Sequence, residues 1–272
     1  MKPAWNGKWM GVLGGALFAL HASQAQVPTN GLTFWVRADV GVQTSGGFVT
    51  NWVNQAPGGG NDASQAALAN QPTVVNDVIN GEPVVRFDAN DLLRTLTPVQ
   101  TSQTFSMFTV ATLGQNNLGG GNGFVGPFHN GQEAFGNGYG FRRQGATTYG
   151  LAFPNVAFVN FGPTIGTGIH LEDAHRNSSG AITFYVNGGQ SDGVQTPGAP
   201  IVPTHSSQVG GSDIGFFIGD VAEVLIYNDA LSATDRHEVQ EYIFAKYGLP
   251  EPSAVALLGL GGMLLLWRRR DR

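Results

Sequence analysis

Residues 219–249 read GDVAEVLIYNDALSATDRHEVQEYIFAKYGL, a strand and a helix side by side. Val221–Tyr227 is a β-branched and aromatic run, closed by the turn-forming pair Asn228-Asp229. Soon after it Ser232 stands where an N-cap belongs, with Asp235 at the N3 position, a variant of the capping box. Gly248 sits where a helix ends in the left-handed conformation, and Pro250 follows to prevent continuation. Val239, Tyr242, Ile243 and Tyr247 fall on one helical face. A helix with a single apolar face needs a sheet to lie on, and the sheet must come from upstream.

Upstream, short runs of Val, Ile, Phe, Thr and Tyr are punctuated by Gly, Asn and Pro. Strands are expected at Leu32–Arg37, Thr50–Asn54, Thr73–Val75, Pro83–Asp88 and Thr104–Leu113. More are expected at Gly138–Arg143, Tyr149–Phe153, Ile169–Asp173, Ala181–Asn187 and Ile214–Ile218. Phe184 and Val186 would face one side and Tyr185 and Asn187 the other, with Asn187-Gly188-Gly189 turning the chain. Pro57–Asn61 and the long Asn116–Gly138 tract read as loops. The expected fold is all-β: two stacked antiparallel sheets of jelly-roll type with one C-terminal-side helix, plus apolar helical segments at both termini.

Composition narrows the function. The 272 residues include 40 Gly and no Cys, and only 12% are charged. Without Cys there is no disulfide framework, thiolate metal site or Cys nucleophile. Residues 26–249 hold eight basic residues against seventeen acidic ones, so this body carries about −9 although the whole chain sums to −5. An acidic body without basic clusters argues against nucleic acid as a partner.

The basic charge missing from the body lies at the ends. Lys2 and Lys8 precede the apolar run Trp9–Ala22, and Ser23-Gln24-Ala25 is a small-x-small cleavage pattern, so residues 1–25 read as a signal peptide cut after Ala25. At the other end, Pro250-Glu251-Pro252 leads into the uncharged stretch Ser253–Trp267 and then Arg268, Arg269 and Arg270. That stretch would span about 22 Å as a helix, short of a hydrocarbon core of ~30 Å. The arginines mark the cytoplasmic side. Residues 250–272 resemble the PEP-CTERM sorting signal of Gram-negative bacteria. The resemblance implies a transient membrane anchor, processing by an exosortase-type protease, and delivery to the cell surface or the medium.

The body carries a second resemblance. GLTFWVRADVGV at 31–42, VTNWVNQ at 49–55, GNDASQA at 60–66 and QPTVVNDVINGEPVVRFDANDLL at 71–93 follow one another in order. FSMFTVATL at 105–113, AITFYVNG at 181–188 and the 219–249 stretch complete the series. Together they make residues 26–249 similar to laminin-G-like, concanavalin-A-like jelly-roll domains of bacterial extracellular proteins. That resemblance implies a lectin-like sandwich. Many such domains carry a structural calcium, although a frequent form of the late strand has Asp where this chain has Ala222.

Candidate sites follow from chemistry. Calcium takes hard oxygen ligands on loops, and Asp88, Asn90 and Asp91 offer them just after a strand. Glycans stack on aromatic rings and bond to polar side chains, which singles out Tyr139, Phe141, Arg142 and Tyr149 beside the Gly/Asn loops. His170, Glu172, Asp173 and His175 are dense in potential ligands, but on a strand they split between two faces. No paired-carboxylate string of the glycosidase kind occurs, nor a nucleophile elbow, a His-Glu-x-x-His or a Walker loop. The expectation is a non-catalytic exported protein that binds glycan or exopolysaccharide, or that adheres. The alternative is a divergent polysaccharide-active enzyme on the same fold.

Overall fold

The computed structural model describes residues 26–250, apart from residues 89, 114–124, 132–137, 145–147, 154–155, 165–167, 197–202 and 214. The apolar segments expected at 1–25 and 251–272 lie outside the described residues. The protein is mostly β, a sandwich of antiparallel strands with one helix laid on its outer side.

The first sheet runs Gly189–Gln195, Ile182–Val186, His170–Arg176, Phe105–Leu113 and Gly219–Tyr227. Leu32–Arg37 pairs with the C-terminal half of Gly219–Tyr227, and Glu82–Phe87 with its N-terminal half. The change of partner falls at a bulge around Ala222, whose carbonyl accepts the Ala38 N–H at 2.9 Å. Thr73–Ile79 lies outside Glu82–Phe87, and its Thr73 also pairs with Phe48, joining the two sheets at one edge.

The second sheet begins with Val42–Ser45, Phe48–Trp52, Ala63–Ser64, Leu93–Arg94 and Gln208–Val209. It continues through Val125–Asn130, Tyr139–Gln144, Thr148–Phe153 and Val156–Thr164. Between the sheets lies the main core, with Phe34, Trp52, Phe105, Phe128, Tyr139 and Phe184 among its rings. A second apolar layer joins the outer face of the first sheet, through Phe108, Leu225 and Tyr227, to Val239, Ile243, Phe244 and Tyr247 of the helix. Gly219–Tyr227 is therefore buried on both faces along its whole length, which is why it reads as an apolar run rather than an alternation.

The helix spans Ala233–Tyr247. Ser232 Oγ accepts the Asp235 N–H at 3.1 Å and donates to Asp235 Oδ2 at 2.8 Å. Gly248 closes the helix at φ 65°. Its buried face differs from the expected one. Gln240 and Phe244 are buried, and Tyr242 is only half-buried. Leu249 is buried and Pro250 exposed.

Every expected strand but Ile214–Ile218 forms, with ends shifted by a few residues, and the differences lie in strands the pattern does not show, such as Ala63–Ser64, Leu93–Arg94, Val156–Thr164 and Gln208–Val209. Val125–Asn130 lies inside the tract expected to be loop, and all six of its residues are buried. Its Gly content disguised it: a Cβ on Gly126 would strike the backbone of Phe141 in the neighbouring strand. Only Gly215–Phe216 of the expected Ile214–Ile218 strand forms, in a small hairpin with Gly211–Ser212.

Polar bonds fix the helix to the sheet. Glu223 is fully buried and accepts from Trp35 Nε1–H at 2.6 Å, Tyr247 OH at 2.7 Å, Lys246 Nζ at 3.0 Å and Tyr242 OH at 3.3 Å. Lys246 also reaches Asp39 at 2.8 Å. Burial opposes the charge on Asp39, but hydrogen bonds from Arg37 and Lys246 prevail and bring its pKa down to about 2. Glu223→Ala would leave four buried or half-buried donors without their acceptor, and is expected to cost about 3–5 kcal/mol in urea unfolding. Tyr242→Phe, which removes the longest of these bonds and a 3.3 Å bond from Lys246 Nζ, should cost about 1 kcal/mol. Equal losses in the two variants would contradict this ranking.

Candidate functional site

The second sheet turns one face to the core and the other away from it, and its cross-strand register sorts the residues cleanly. Val42, Trp52 and Ala63 form one inward row, and Leu93, Val209 and Phe128 another. The intervening row points outward: Gln43 opposite Asn51, then Ser64, Arg94, Gln208 and His129, and finally Gly140. Six polar side chains thus line up across six strands, a span of about 24 Å at ~4.8 Å per strand.

The two ends of the row differ. Ser64 and Arg94 are exposed, whereas Gln208 and His129 are buried although they face away from the core. Gly131, directly after the Val125–Asn130 strand, meets both. The Gly131 carbonyl accepts from His129 Nδ1–H at 3.2 Å and from Gln208 Nε2–H at 3.5 Å. Gly140 provides the floor beside His129; a Cβ there would meet the imidazole at 2.6 Å. Burial pushes the His129 pKa down to about 4, with the Gly131 bond and the Asp213 charge acting against it. Arg142 lies close enough to add its charge to the depression. Past Arg94, Leu96 is 89% exposed, in a turn fixed by Asn61, whose Oδ1 accepts the N–H groups of Leu96 and Thr97 at 2.9 and 3.0 Å.

The expected ligand-binding residues distribute differently. Tyr139 and Phe141 are fully buried and point into the core. Tyr139 stacks on Phe105 at 4.6 Å between ring centroids, and its hydroxyl donates to Gln100 Oε1. Neither ring has a face to offer a sugar, which corrects the expectation for both. The pleat is the reason: Gly140 and Arg142, the residues between and after them, take the outward positions. Arg142 is half-buried next to the outward row. Tyr149 pairs with Arg143 in the neighbouring strand.

The calcium expectation also meets a different geometry. Asp91 Oδ2 accepts the Asp88 N–H at 2.8 Å, and the Asn90 amide donates to the Ala69 carbonyl. These bonds brace the loop against the turn at Leu68–Asn70, and burial raises the Asp91 pKa. Among the described residues no three histidine, aspartate or glutamate side chains converge as a metal site.

The His/carboxylate strand is central rather than peripheral, and it divides between faces as alternation requires. On the core side, His170 Nε2 lies 2.5 Å from Glu172 Oε1. On the helix side, Leu231 N–H donates to Ser106 Oγ at 2.8 Å, Ser106 Oγ lies 2.8 Å from His175 Nδ1, and His175 Nε2 lies 3.0 Å from Asp173 Oδ1. Gln240 of the helix completes the chain with a 2.8 Å bond to Asp173 Oδ2. The order is that of a Ser-His-Asp relay. Its serine, however, is fully buried beneath the helix and already accepts a backbone N–H, so the relay holds the helix down.

Sequence reasoning missed Ser64, Arg94, Gln208 and His129. Three of them lie in two-residue strands, too short for any period, and the fourth lies in the tract read as loop. Only the alternation at Tyr139-Gly140-Phe141-Arg142 hinted that the aromatics faced in and the other residues out.

No protein-family model matches the chain, and no curated protein does. Solved structures match its fold. Domain 4 of AbnA, an extracellular arabinanase from Geobacillus stearothermophilus, solved with arabinotriose, superimposes with TM-score 0.53 and 14% identity, covering 80% of this chain and 100% of that domain. Trypanosoma rangeli sialidase in complex with sialic acid gives TM-score 0.54 and 14% identity over 79% of this chain, which spans only 33% of that protein. The binding domain of botulinum neurotoxin serotype D gives TM-score 0.52 and 11% identity over 78% of this chain and 50% of that one. At these identities the likeness is one of fold: a lectin-like, concanavalin-A-like β-sandwich.

The buried imidazole has a measurable consequence. In the unfolded chain His129 takes up its proton near pH 6.5, and in the folded protein only near 4. Stability contributed by neutral His129 is therefore present above pH 6.5 and lost as pH falls toward 4, by up to about 3 kcal/mol. Urea unfolding at pH 7 and pH 4.5 should show the wild type losing about 2 kcal/mol more than His129→Gln. Equal losses would mean that this imidazole does not set the acid sensitivity.

Proposed function

We propose that this chain is a non-catalytic, glycan-binding or adhesive module of an exported surface protein, and that it binds through the outer face of its second sheet. The accessible part of the polar row, Gln43, Asn51, Ser64 and Arg94, carries this reading, because it is a band of hydrogen-bonding side chains across four strands of a lectin-like fold. Structural neighbours solved with arabinotriose and with sialic acid support it. The use of the carboxylates supports a non-catalytic role. Glu223 and Asp173 are consumed in holding the helix, and Glu172 faces the core. Arrays of plant and bacterial polysaccharides probed with the full-length chain should show retention on at least one glycan class. Silence across all classes would overturn the binding role, and turnover of a retained glycan would overturn the non-catalytic one.

The ends supply the address in this proposal. The signal peptide directs export, and the tail from Pro250 anchors the protein until an exosortase-type protease cuts near Pro250-Glu251-Pro252 and releases it to the surface of a Gram-negative cell. The exposed position of Pro250, next to buried Leu249, suits such a cut. Mass spectrometry of the exported protein should find a C-terminus near residue 250, and an intact Arg272 would rule the processing out.

A further inference from the structure

The basic residues of the body are sparse, and most are committed. Arg37 pairs with Asp39 at 2.5 Å, Arg86 with Asp220 at 2.7 Å, and Lys246 with Asp39 and Glu223. Arg236 lies 4.0 Å over the ring of Tyr185, and Arg176 donates to the Gln103 carbonyl at 2.5 Å. Arg94 is different. It is exposed at the middle of the outward row, and no described residue forms an ion pair or side-chain hydrogen bond with it. An unpaired guanidinium on a body of about −9 stands out as a local positive centre.

Its two cross-strand neighbours differ. Gln208 is fully buried, and its Oε1 has no hydrogen-bond donor among the described residues. On the other side of Arg94 stands the exposed hydroxyl of Ser64, and two residues further on the pinned, exposed side chain of Leu96. The acidic groups that face the row lie toward its ends. Asp62 accepts from Asn51 Nδ2–H at 3.0 Å, and Asp213 lies within electrostatic reach of His129.

Building on the reading of this face as a glycan surface, we propose that its ligand is an acidic polysaccharide, with Arg94 taking a uronic-acid carboxylate and the exposed Ser64 hydroxyl on the neighbouring strand bonding an adjacent sugar hydroxyl. The guanidinium fork matches a planar carboxylate with two parallel N–H···O bonds, which a single ammonium cannot do. A uronic acid places hydroxyl donors within one sugar ring of that carboxylate, matching the spacing of neighbouring strands. Leu96 gives the C–H face of such a ring an apolar contact at the rim.

Affinity electrophoresis of the full-length chain through gels containing polygalacturonate, dextran or dextran sulfate tests the assignment. Retardation is expected in polygalacturonate and not in dextran. Arg94→Gln should weaken it at least fivefold and Arg94→Lys should weaken it measurably, both with an unchanged melting temperature. Arg236→Gln should leave it as in the wild type. Retardation in polygalacturonate that is insensitive to Arg94→Gln, or equal retardation in dextran, would overturn the acidic-ligand assignment and leave the glycan reading standing. Stronger retention by dextran sulfate with Arg94→Lys behaving as wild type would also overturn it, because charge alone would then explain binding. A chain that migrates freely in all three gels and stays silent on the glycan arrays would overturn the glycan reading as well.

Discussion

Burying a carboxylate is costly unless its charge is met, and the architecture turns on how Glu223 meets that cost. The strand Gly219–Tyr227 has to be covered on both faces, by the opposing sheet on one side and by the helix on the other. Apolar contact alone would let the helix slide or rotate on a greasy surface. Glu223 gathers donors from Trp35 on one strand and from Tyr242, Lys246 and Tyr247 on the helix, so it fixes both the register and the angle of the helix. The chain from Leu231 through Ser106, His175 and Asp173 to Gln240 pins a second point, nearer the helix N-terminus. Two polar anchors along one helix define its position in a way a uniform apolar layer would not.

This arrangement explains what was legible beforehand. The strand Leu32–Arg37 and the caps Ser232 and Gly248 could be read from sequence because each depends on local pattern or turn chemistry. The helix face could be read only in part. Gln240 is buried because Asp173 needs a donor, and Asp173 lies on a strand far away in sequence. No helical period contains that information. The outward row of the second sheet is harder still. Ala63–Ser64, Leu93–Arg94 and Gln208–Val209 exist as strands only because longer neighbours hold them, and local sequence carries almost none of the signal. Aromatics in strand-like runs were easy to notice, and for the same reason they were core: a large apolar ring in a strand most often points where water is absent.

The two sides of the sandwich therefore divide their tasks. The first sheet spends Ser106, Asp173, His175 and Glu223 on holding the helix. The second sheet carries its polar side chains outward, where some remain uncommitted. Charge follows the same division. Most cations of the body are paired within it, and Arg94 stands apart on the outward face.

The short strands of the second sheet have a further consequence. Each places a small or branched apolar residue inward, Ala63, Leu93 or Val209, directly beside an outward polar one. The backbone position of every outward residue is thus set by its inward neighbour and by the flanking strands, not by its own side chain. Substitution at Ser64 or Arg94 can change what the surface recognises without disturbing what holds it in place. A lineage carrying this scaffold could retarget it to a new ligand by exchanging a few side chains, while its interior, and hence its fold, stayed constant.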